Sequence, residues 1–193
     1  VGQIIIKHPE EKVKTVGDYR TLLMKSFFNQ MIGSRLRELA QKPESPFLQA
    51  GISISSLFGG LDNLSISYVA KPGQLEAATK AVVRELERFE QYGFTETEFK
   101  RTQLAFAKNN ETQYVERDKR KSDSYIEQYL SHFLEGDATL SNEDRYQITK
   151  QLLPTISLKE VEAVGHRFYT DNNRDIIIIS PEKDKGMMPV EST

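Results

Sequence analysis

The 193 residues of this chain include three histidines and no cysteine, so any imidazole or thiolate ligand for a metal must come from one of these histidines. A catalytic zinc site needs two imidazoles one turn apart on one helix, a third protein ligand and a carboxylate beside the bound water. His8 and His132 each precede a glutamate by three residues, but neither segment has a second histidine, and His166 stands alone. We therefore predict no metal ligand and no catalytic residue in this chain, and we assign no substrate-binding residue.

Serine and glycine motifs are also incomplete. Residues 51–55 come nearest to the Gly-x-Ser-x-Gly elbow of serine hydrolases, but the segment ends in Ser55. Its alternation of isoleucine and serine is typical of a strand with one polar face. Gly59 and Gly60 lack the lysine and hydroxyl residue that complete a phosphate-binding loop, which favours a hairpin turn.

A basic cluster lies at residues 117–121 between Tyr114 and Tyr125. Aromatic rings beside cations could stack nucleic-acid bases, so this is one hypothesis for function. The cluster is short and the whole chain carries a net charge of −2, so a solvated helix with paired charges is the favoured interpretation, and we predict no nucleic-acid partner. The cations of the cluster are Arg117, Lys119, Arg120 and Lys121.

Composition is typical of one globular domain, with 38% hydrophobic and 28% charged residues. We expect a single domain over residues 1–181 and a flexible, polar tail over residues 182–193. No run approaches about 18 apolar residues, so we expect a soluble protein with no membrane partner. The chain starts at Val1 without a signal-peptide pattern, which fits a removed leader or an internal fragment, and both periplasm and cytoplasm stay open as its compartment.

Hydrophobic patterning predicts two separate strands and one hairpin. The β-branched runs at residues 2–7 and 176–179 predict strands buried on both faces, the second of them central in its sheet. Alternation on both sides of Gly59 and Gly60 predicts an antiparallel hairpin with one polar face.

The remaining segments predict helices. A period near 3.6 residues indicates one helix from about Thr15 or Asp18 to before Pro43 and another from Pro72 to Gly93. Three more starts are indicated where a hydroxyl residue precedes an acid by three positions, namely Thr95 with Glu98, Ser141 with Asp144, and Ser157 with Glu160. The first of these helices is predicted to run toward Phe133 with a break near Asp118, and Pro154 separates the last two. This order predicts an α+β fold with helices on one face of a mostly antiparallel sheet.

Two arginines, Arg35 and Arg37, close the first predicted helix. Cations in a last turn can bind the free carbonyl groups there and interact favourably with the helix dipole. We favour this structural role for both arginines over contact with a substrate or partner.

The order of these motifs carries a resemblance to a family. Tyr19-Arg20 and the run from Phe27 to Leu39 are similar to the helix that opens the repeat domains of pitrilysin/insulinase zinc metallopeptidases. The resemblance continues through the hairpin and the helix after Pro72-Gly73 to residues 93–99 (Gly-Phe-Thr-Glu-Thr-Glu-Phe), which look like that family's junction between two helices. It covers roughly residues 2–181 and implies the metallohydrolase repeat fold of mitochondrial processing peptidase-like proteins.

The resemblance also implies a function. In that family the first repeat carries an inverted His-x-x-Glu-His zinc motif and later repeats close a substrate chamber. That motif is absent here, so the resemblance implies a non-metal repeat, with zinc held in the catalytic domain of the parent enzyme. Some later repeats supply an arginine followed seven residues on by a tyrosine; Arg37 could take the first place, but Glu44 occupies the second, so no catalytic role is assigned to Arg37.

Two functional hypotheses follow from the resemblance. The first is a non-catalytic, chamber-forming domain of a zinc metalloendopeptidase, inactive alone, whose partners are a peptide substrate and a catalytic domain in the same chain or in a partner subunit. In this hypothesis the hairpin edge binds extended peptide by strand addition. The alternative is a peptidase-derived scaffold or interaction domain without a proteolytic partner, as in the core subunits of respiratory complexes.

Overall fold

A four-stranded antiparallel sheet forms the base of the fold, in the order β2-β3-β1-β4. The computed structural model describes residues 1–119, 126, 130, 132–134, 136 and 138–182. The strands are β1 (Gly2–Pro9), β2 (Phe47–Leu57), β3 (Leu61–Ala70) and β4 (Arg174–Ile178). The predicted hairpin is confirmed as β2 and β3, joined through Gly59 and Gly60, whose φ angles of 75° and 76° suit glycine.

Five α-helices carry most of the remaining described residues, and they confirm the predicted α+β fold with an antiparallel sheet. They are α1 (Val16–Ala40), α2 (Leu75–Tyr92), α3 (Glu96–Val115), α4 (Asn142–Leu152) and α5 (Leu158–Phe168). The predicted starts at Thr95, Ser141 and Ser157 are confirmed, since each hydroxyl accepts from the amide three residues on. Short 3-10 turns at Arg117–Lys119 and Leu153–Thr155 match the predicted break near Asp118 and the separation at Pro154.

The core lies between the sheet and these helices. Along β1 the side chains of Ile4 and Ile6 are buried, while Ile5 between them is only half-buried. The prediction of a strand buried on both faces is therefore wrong for β1. The reason is that the helical residues of the core pack against one face of the sheet, the face of Ile4 and Ile6.

Strand β4 departs further from its prediction. We expected residues 176–179 to form a central strand buried on both faces, but β4 lies at the edge of the sheet and pairs with β1. Ile176 and Ile179 are each 65% exposed. A run of isoleucines favours extended backbone whatever its neighbours, so it did not specify the position of the strand in the sheet. The predicted tail falls mostly on residues 183–193, which lie outside the described residues.

Helix α1 runs across the middle of the core, and its apolar side pairs with the sheet below and with α5 beside it. Phe27, Phe28, Met31 and Ile32 are almost fully buried. Helix α5 approaches α1 and α2 closely at Gly165, where an added Cβ would come within 2.6 Å of both Phe28 and Phe89. Helix α2 is held to the sheet by the hydroxyls of Tyr68 and Thr79, which lie 2.6 Å apart.

Candidate functional site

The three histidines occupy separate places in the fold. His8 donates from Nε2 to the carbonyl oxygen of Phe168 over 2.8 Å. His166 stacks on Phe89, and its Nδ1 lies 3.0 Å from a carboxylate oxygen of Glu90. His132 is exposed, and Glu135 lies outside the described residues. Among the residues that the structure describes, no three His, Cys, Asp or Glu side chains are placed to hold a metal ion together.

Arg35 is a buried anchor between helices and has no free guanidinium nitrogen facing solvent. It donates to both carboxylate oxygens of Glu98, from Nε over 2.6 Å and from Nη2 over 2.9 Å. Nη2 also donates to the carbonyl oxygen of Gly93 over 3.0 Å, and Nη1 lies 3.5 Å from Glu85. The prediction of a helix-end cation is therefore wrong for Arg35, because the α2–α3 junction folds back onto this turn of α1. Arg37 does lie in the last turn of α1, where it donates to Ser34.

The electrostatics of this anchor favour the charged forms. Burial alone would raise the pKa of Glu98, but the hydrogen bonds from Arg35 and from the Thr95 amide and hydroxyl lower that pKa to about 2. Burial opposes the charge on Arg35, and the hydrogen bond and charge of Glu98 together with those of Glu85 overcome this and raise the pKa of the guanidinium. A permanently charged, bidentate pair of this kind holds helices in position and has no proton to exchange in catalysis.

A second charged cluster was not predicted from the sequence. Lys25, only 7% exposed, donates to Asp62, which is 1% exposed, over 2.6 Å, and it lies 3.1 Å from Glu11. Arg167 on α5 completes the cluster with a contact of 2.9 Å to Glu11. The signal was present in α1, where Lys25 interrupts an apolar stretch between Met24 and Phe27.

This cluster borders a cleft of about 500 Å³ between the first turns of α1, the loop after β1 and the end of β2. The ammonium group of Lys25 is paired with the carboxylates of Glu11 and Asp62, so Lys25 cannot serve as a nucleophile without losing both partners. The arrangement ties α1 to the hairpin and to α5.

The face of the sheet opposite the core, which we call the uncovered face, is largely polar among the described residues. Its polar members include Gln3, Lys7, Ser53, Ser55, Asn63, Ser65, Ser67 and Asp175, and its apolar members include Ile5, Leu57, Leu61, Val69 and Ile177. Lys7 and Asp175 lie 2.8 Å apart and neutralise one another. Ser53 lies directly across from Ser65, so the interpretation of residues 51–55 as the polar face of a hairpin is confirmed.

The two edges of the sheet differ. At the edge formed by β2, Asn29 on α1 binds the backbone of Ile54 twice: its side-chain oxygen accepts from the Ile54 amide over 2.7 Å, and its side-chain nitrogen donates to the Ile54 carbonyl over 2.9 Å. A neighbouring strand would form the same two bonds. The middle of the hairpin edge is therefore occupied by this chain itself.

The described part of the basic cluster is held by its neighbours. Arg117 donates to the carbonyl oxygen of Tyr114 over 2.9 Å and lies above the Tyr114 ring. Lys119 lies 3.9 Å from Glu116. Arg120, Lys121 and Tyr125 lie outside the described residues.

Comparison with known proteins places this geometry in a family context. No model of a protein family matches the sequence. Over 167 aligned residues, the chain is 26% identical to a zinc protease of Arabidopsis thaliana described as PQQL-like. Over 160 aligned residues, it is 25% identical to the chloroplastic stromal processing peptidase of the same plant. These alignments cover 86% and 82% of this chain, but the chain spans only 14% and 13% of those relatives.

Solved structures of proteases share this fold. The periplasmic protease PqqL of Escherichia coli matches 99% of this chain with a TM-score of 0.88 at 16% identity, and 21% of its own chain is covered. The relatives are pitrilysin/insulinase-type zinc proteases. The resemblance expected from the helix and junction motifs is thus confirmed, and the chain is similar to a peptidase-derived repeat domain. Within the described residues, no helix combines the length and apolarity needed to cross a membrane.

Proposed function

We propose that this chain is a non-catalytic repeat of a zinc metalloendopeptidase and forms part of the wall of its substrate chamber. Zinc is then held by the catalytic domain, which is either in the same polypeptide or in a partner subunit, and the substrate is a peptide. The observation that carries the proposal is the uncovered sheet face, which is extended and largely polar and on which, among the described residues, the Lys7 cation is paired with the Asp175 carboxylate.

The chemistry of that face suits confinement. Serine hydroxyls and the Gln3 amide can exchange hydrogen bonds with a peptide backbone at little net free energy, because water makes equivalent bonds. A face without unpaired charge or a large apolar patch gives no strong binding point, so peptide can enter and product can leave. On the other side of the sheet, the Arg35 anchor and the Lys25 cluster hold the helices in position and so support the wall.

The experiment uses the complete peptidase that contains this chain. Ser65→Trp and Ser67→Trp place bulk on the uncovered face, where no helix of the described residues packs, so folding should be preserved. We expect kcat/KM for a long peptide to fall several-fold, while kcat/KM for a short peptide and the zinc content stay unchanged. Gln91→Trp, on the exposed side of α2, is the matched control and should leave both substrates unaffected.

Two outcomes would overturn the proposal. One is an equal effect of Ser65→Trp and Gln91→Trp on both substrates, which would remove the uncovered face from contact with peptide. The other is chelator-sensitive peptide cleavage by the purified chain alone, which would show that it carries its own metal chemistry.

A scaffold without a proteolytic partner is the second candidate. It is favoured by the way the buried charges are used, since Arg35, Lys25 and Asp62 are all committed to contacts inside the chain. The two candidates differ in what accompanies the chain. A His-x-x-Glu-His helix in the same polypeptide, or in a protein that copurifies with it, supports the peptidase, and its absence from both supports the scaffold.

A further inference from the structure

Strand β4 presents a row of backbone hydrogen-bonding groups that no other described strand uses. Val1 and Ile179 exchange both backbone bonds, at 2.8 and 2.9 Å, and the Lys7 amide donates to the Asn173 carbonyl over 3.0 Å. In an antiparallel ladder such pairs alternate with pairs whose amides and carbonyls point away from the partner strand. The groups of Arg174, Ile176 and Ile178 therefore point outward, and within the described residues no backbone bond reaches them from outside the strand.

The side chains of this edge include exposed isoleucines, which is typical of a strand that pairs with another strand. Proteins usually protect sheet edges with charges, prolines or a covering element. At the opposite edge, the side chain of Asn29 covers the strand by binding the backbone amide and carbonyl of Ile54. At β4, Ile176 is 65% and Ile177 41% exposed, and both charged side chains of the strand are paired, Arg174 with Asp171 and Asp175 with Lys7. Among the described residues, the sheet thus has one protected edge and one edge that nothing covers.

The size of the edge limits what can occupy it. Strand addition along five residues buries far less than the roughly 1,200 Å² that a specific complex between separate proteins needs. A strand supplied by the same polypeptide needs no such area, because tethering raises its effective concentration to about the millimolar range. The relatives leave ample chain for this, since this chain spans 14% of the PQQL-like zinc protease.

We infer that the β4 edge receives a strand from a neighbouring repeat of the same polypeptide and that the sheet then has at least five strands. The added strand carries an apolar side chain opposite Ile176, on the helical side of the sheet, where the core face is uncovered. This inference rests on the proposed function only in taking the chain as one repeat of a longer protein. It assigns the open edge to domain assembly and leaves the uncovered face to the substrate.

Hydrogen exchange at single-residue resolution tests the inference, comparing this chain alone with the complete polypeptide. We expect the amides of Ile176 and Ile178 to exchange at least tenfold more slowly in the complete polypeptide. The Ile177 amide points toward β1 and should be protected in both, which makes it an internal control. Sedimentation of the isolated chain checks that it is monomeric at the concentration used.

A proline variant adds a matched perturbation. Ile176→Pro removes one outward-pointing amide and no hydrogen bond to β1, so the isolated chain should keep its melting temperature. In the complete polypeptide, the same change should make the Ile178 amide exchange faster and should lower the melting temperature. Equal exchange of Ile176 in both forms would overturn the inference, as would protection that appears only after addition of a peptide inhibitor or only through self-association. Loss of peptidase activity alone bears on the proposed function, because the exchange measurement does not depend on it.

Discussion

At the scale of single residues, the positions that carry the family resemblance meet in space. Arg35 comes from the motif that closes α1, and Gly93 and Glu98 come from the junction motif that opens α3. They are 58 and 63 residues away from Arg35 along the chain and yet form one hydrogen-bonded anchor. The two motifs therefore describe a single structural contact.

The Arg35–Glu98 pair gives the first stability prediction. Glu98→Gln keeps a side chain that can still cap α3 but removes the charge that neutralises Arg35, leaving Glu85 at 3.5 Å as the nearest carboxylate. Loss of one partner of a buried pair costs about 3 kcal/mol, so urea unfolding at neutral pH should show a lower free energy of unfolding by about that amount. Glu76→Gln, in the exposed pair with Lys80, is the control and should leave the unfolding midpoint unchanged.

The same pair predicts a dependence of stability on pH. The pKa of Glu98 is about 2 in the folded chain against an ordinary value of 4.5, because the Arg35 and Thr95 hydrogen bonds outweigh burial. As the pH falls below about 4.5, the unfolded chain therefore takes up this proton before the folded chain does, and the free energy of unfolding declines until about pH 2. Glu98→Gln should show a shallower decline over this window. An identical slope in both proteins would mean that the pair contributes nothing to stability.

The sequence predicted the contact within this anchor that is local in sequence, and it did not predict the long-range contacts. The capping pair Thr95 and Glu98 was predictable because its residues lie three positions apart and one helix start explains both. The contact with Arg35 was not, because a lysine or arginine near a helix end has a sufficient local explanation in the dipole. Lys25 was missed because its partner Asp62 is 37 residues away along the chain.

At the scale of elements, α5 approaches α1 and α2 closely at Gly165. Gly165→Ala brings a Cβ within 2.6 Å of Phe28 and Phe89, and overpacking of this kind costs about 1–3 kcal/mol. Gly33→Ala is the matched helical control, because its Cβ would meet Arg37 at an ordinary 3.5 Å and alanine stabilises a helix by about 0.5–1 kcal/mol. Thermal unfolding should therefore shift down for Gly165→Ala and up for Gly33→Ala. Shifts of the same sign would contradict the packing described here.

The protected edge of the hairpin gives a prediction for one element pair. Asn29→Ala removes both bonds to Ile54 and should cost about 1–2 kcal/mol, since a backbone amide and carbonyl lose their partner. Amide exchange at Ile54 should become faster, while exchange at Ser53, whose partner strand is β3, stays slow. Gln30→Ala, one position along α1, serves as the control. Unchanged exchange at Ile54 would show that water replaces the Asn29 amide without loss.

The elements themselves were largely predictable, and their positions in the sheet were not. Periodicity and caps located the starts of α1, α2, α3, α4 and α5, because a helix is specified by neighbours within four residues. Strands depend on partners far away in sequence, so the isoleucines of β1 and β4 indicated extended backbone without showing that one face of β1 lacks helices or that β4 lies at an edge. The open edge and the uncovered face, which carry both proposals, follow from that long-range arrangement.

At the scale of the whole molecule, the distribution of polar groups separates two sides. The helical side is held by buried charge pairs, and the sheet side presents hydroxyl and amide groups with its Lys7–Asp175 pair neutral. In the proposed function, this asymmetry would hold the helices in position and leave the sheet face to make weak contacts with peptide. The net charge of −2 adds no long-range attraction for polyanions.

That charge balance predicts the behaviour of the chain toward nucleic acid. Arg117 is engaged by Tyr114 and Lys119 lies near Glu116, so the described part of the basic cluster offers little unpaired positive charge. We expect the purified chain to pass through a heparin column at about 50 mM salt, where binding through phosphate contacts is strongest. Glu111→Lys with Glu116→Lys raises the net charge from −2 to +2 beside the cluster and should produce weak, salt-sensitive retention, which shows that the column can detect such a patch. Salt-dependent retention of the unmodified chain would instead support a nucleic-acid partner and require the cluster to act as a binding surface.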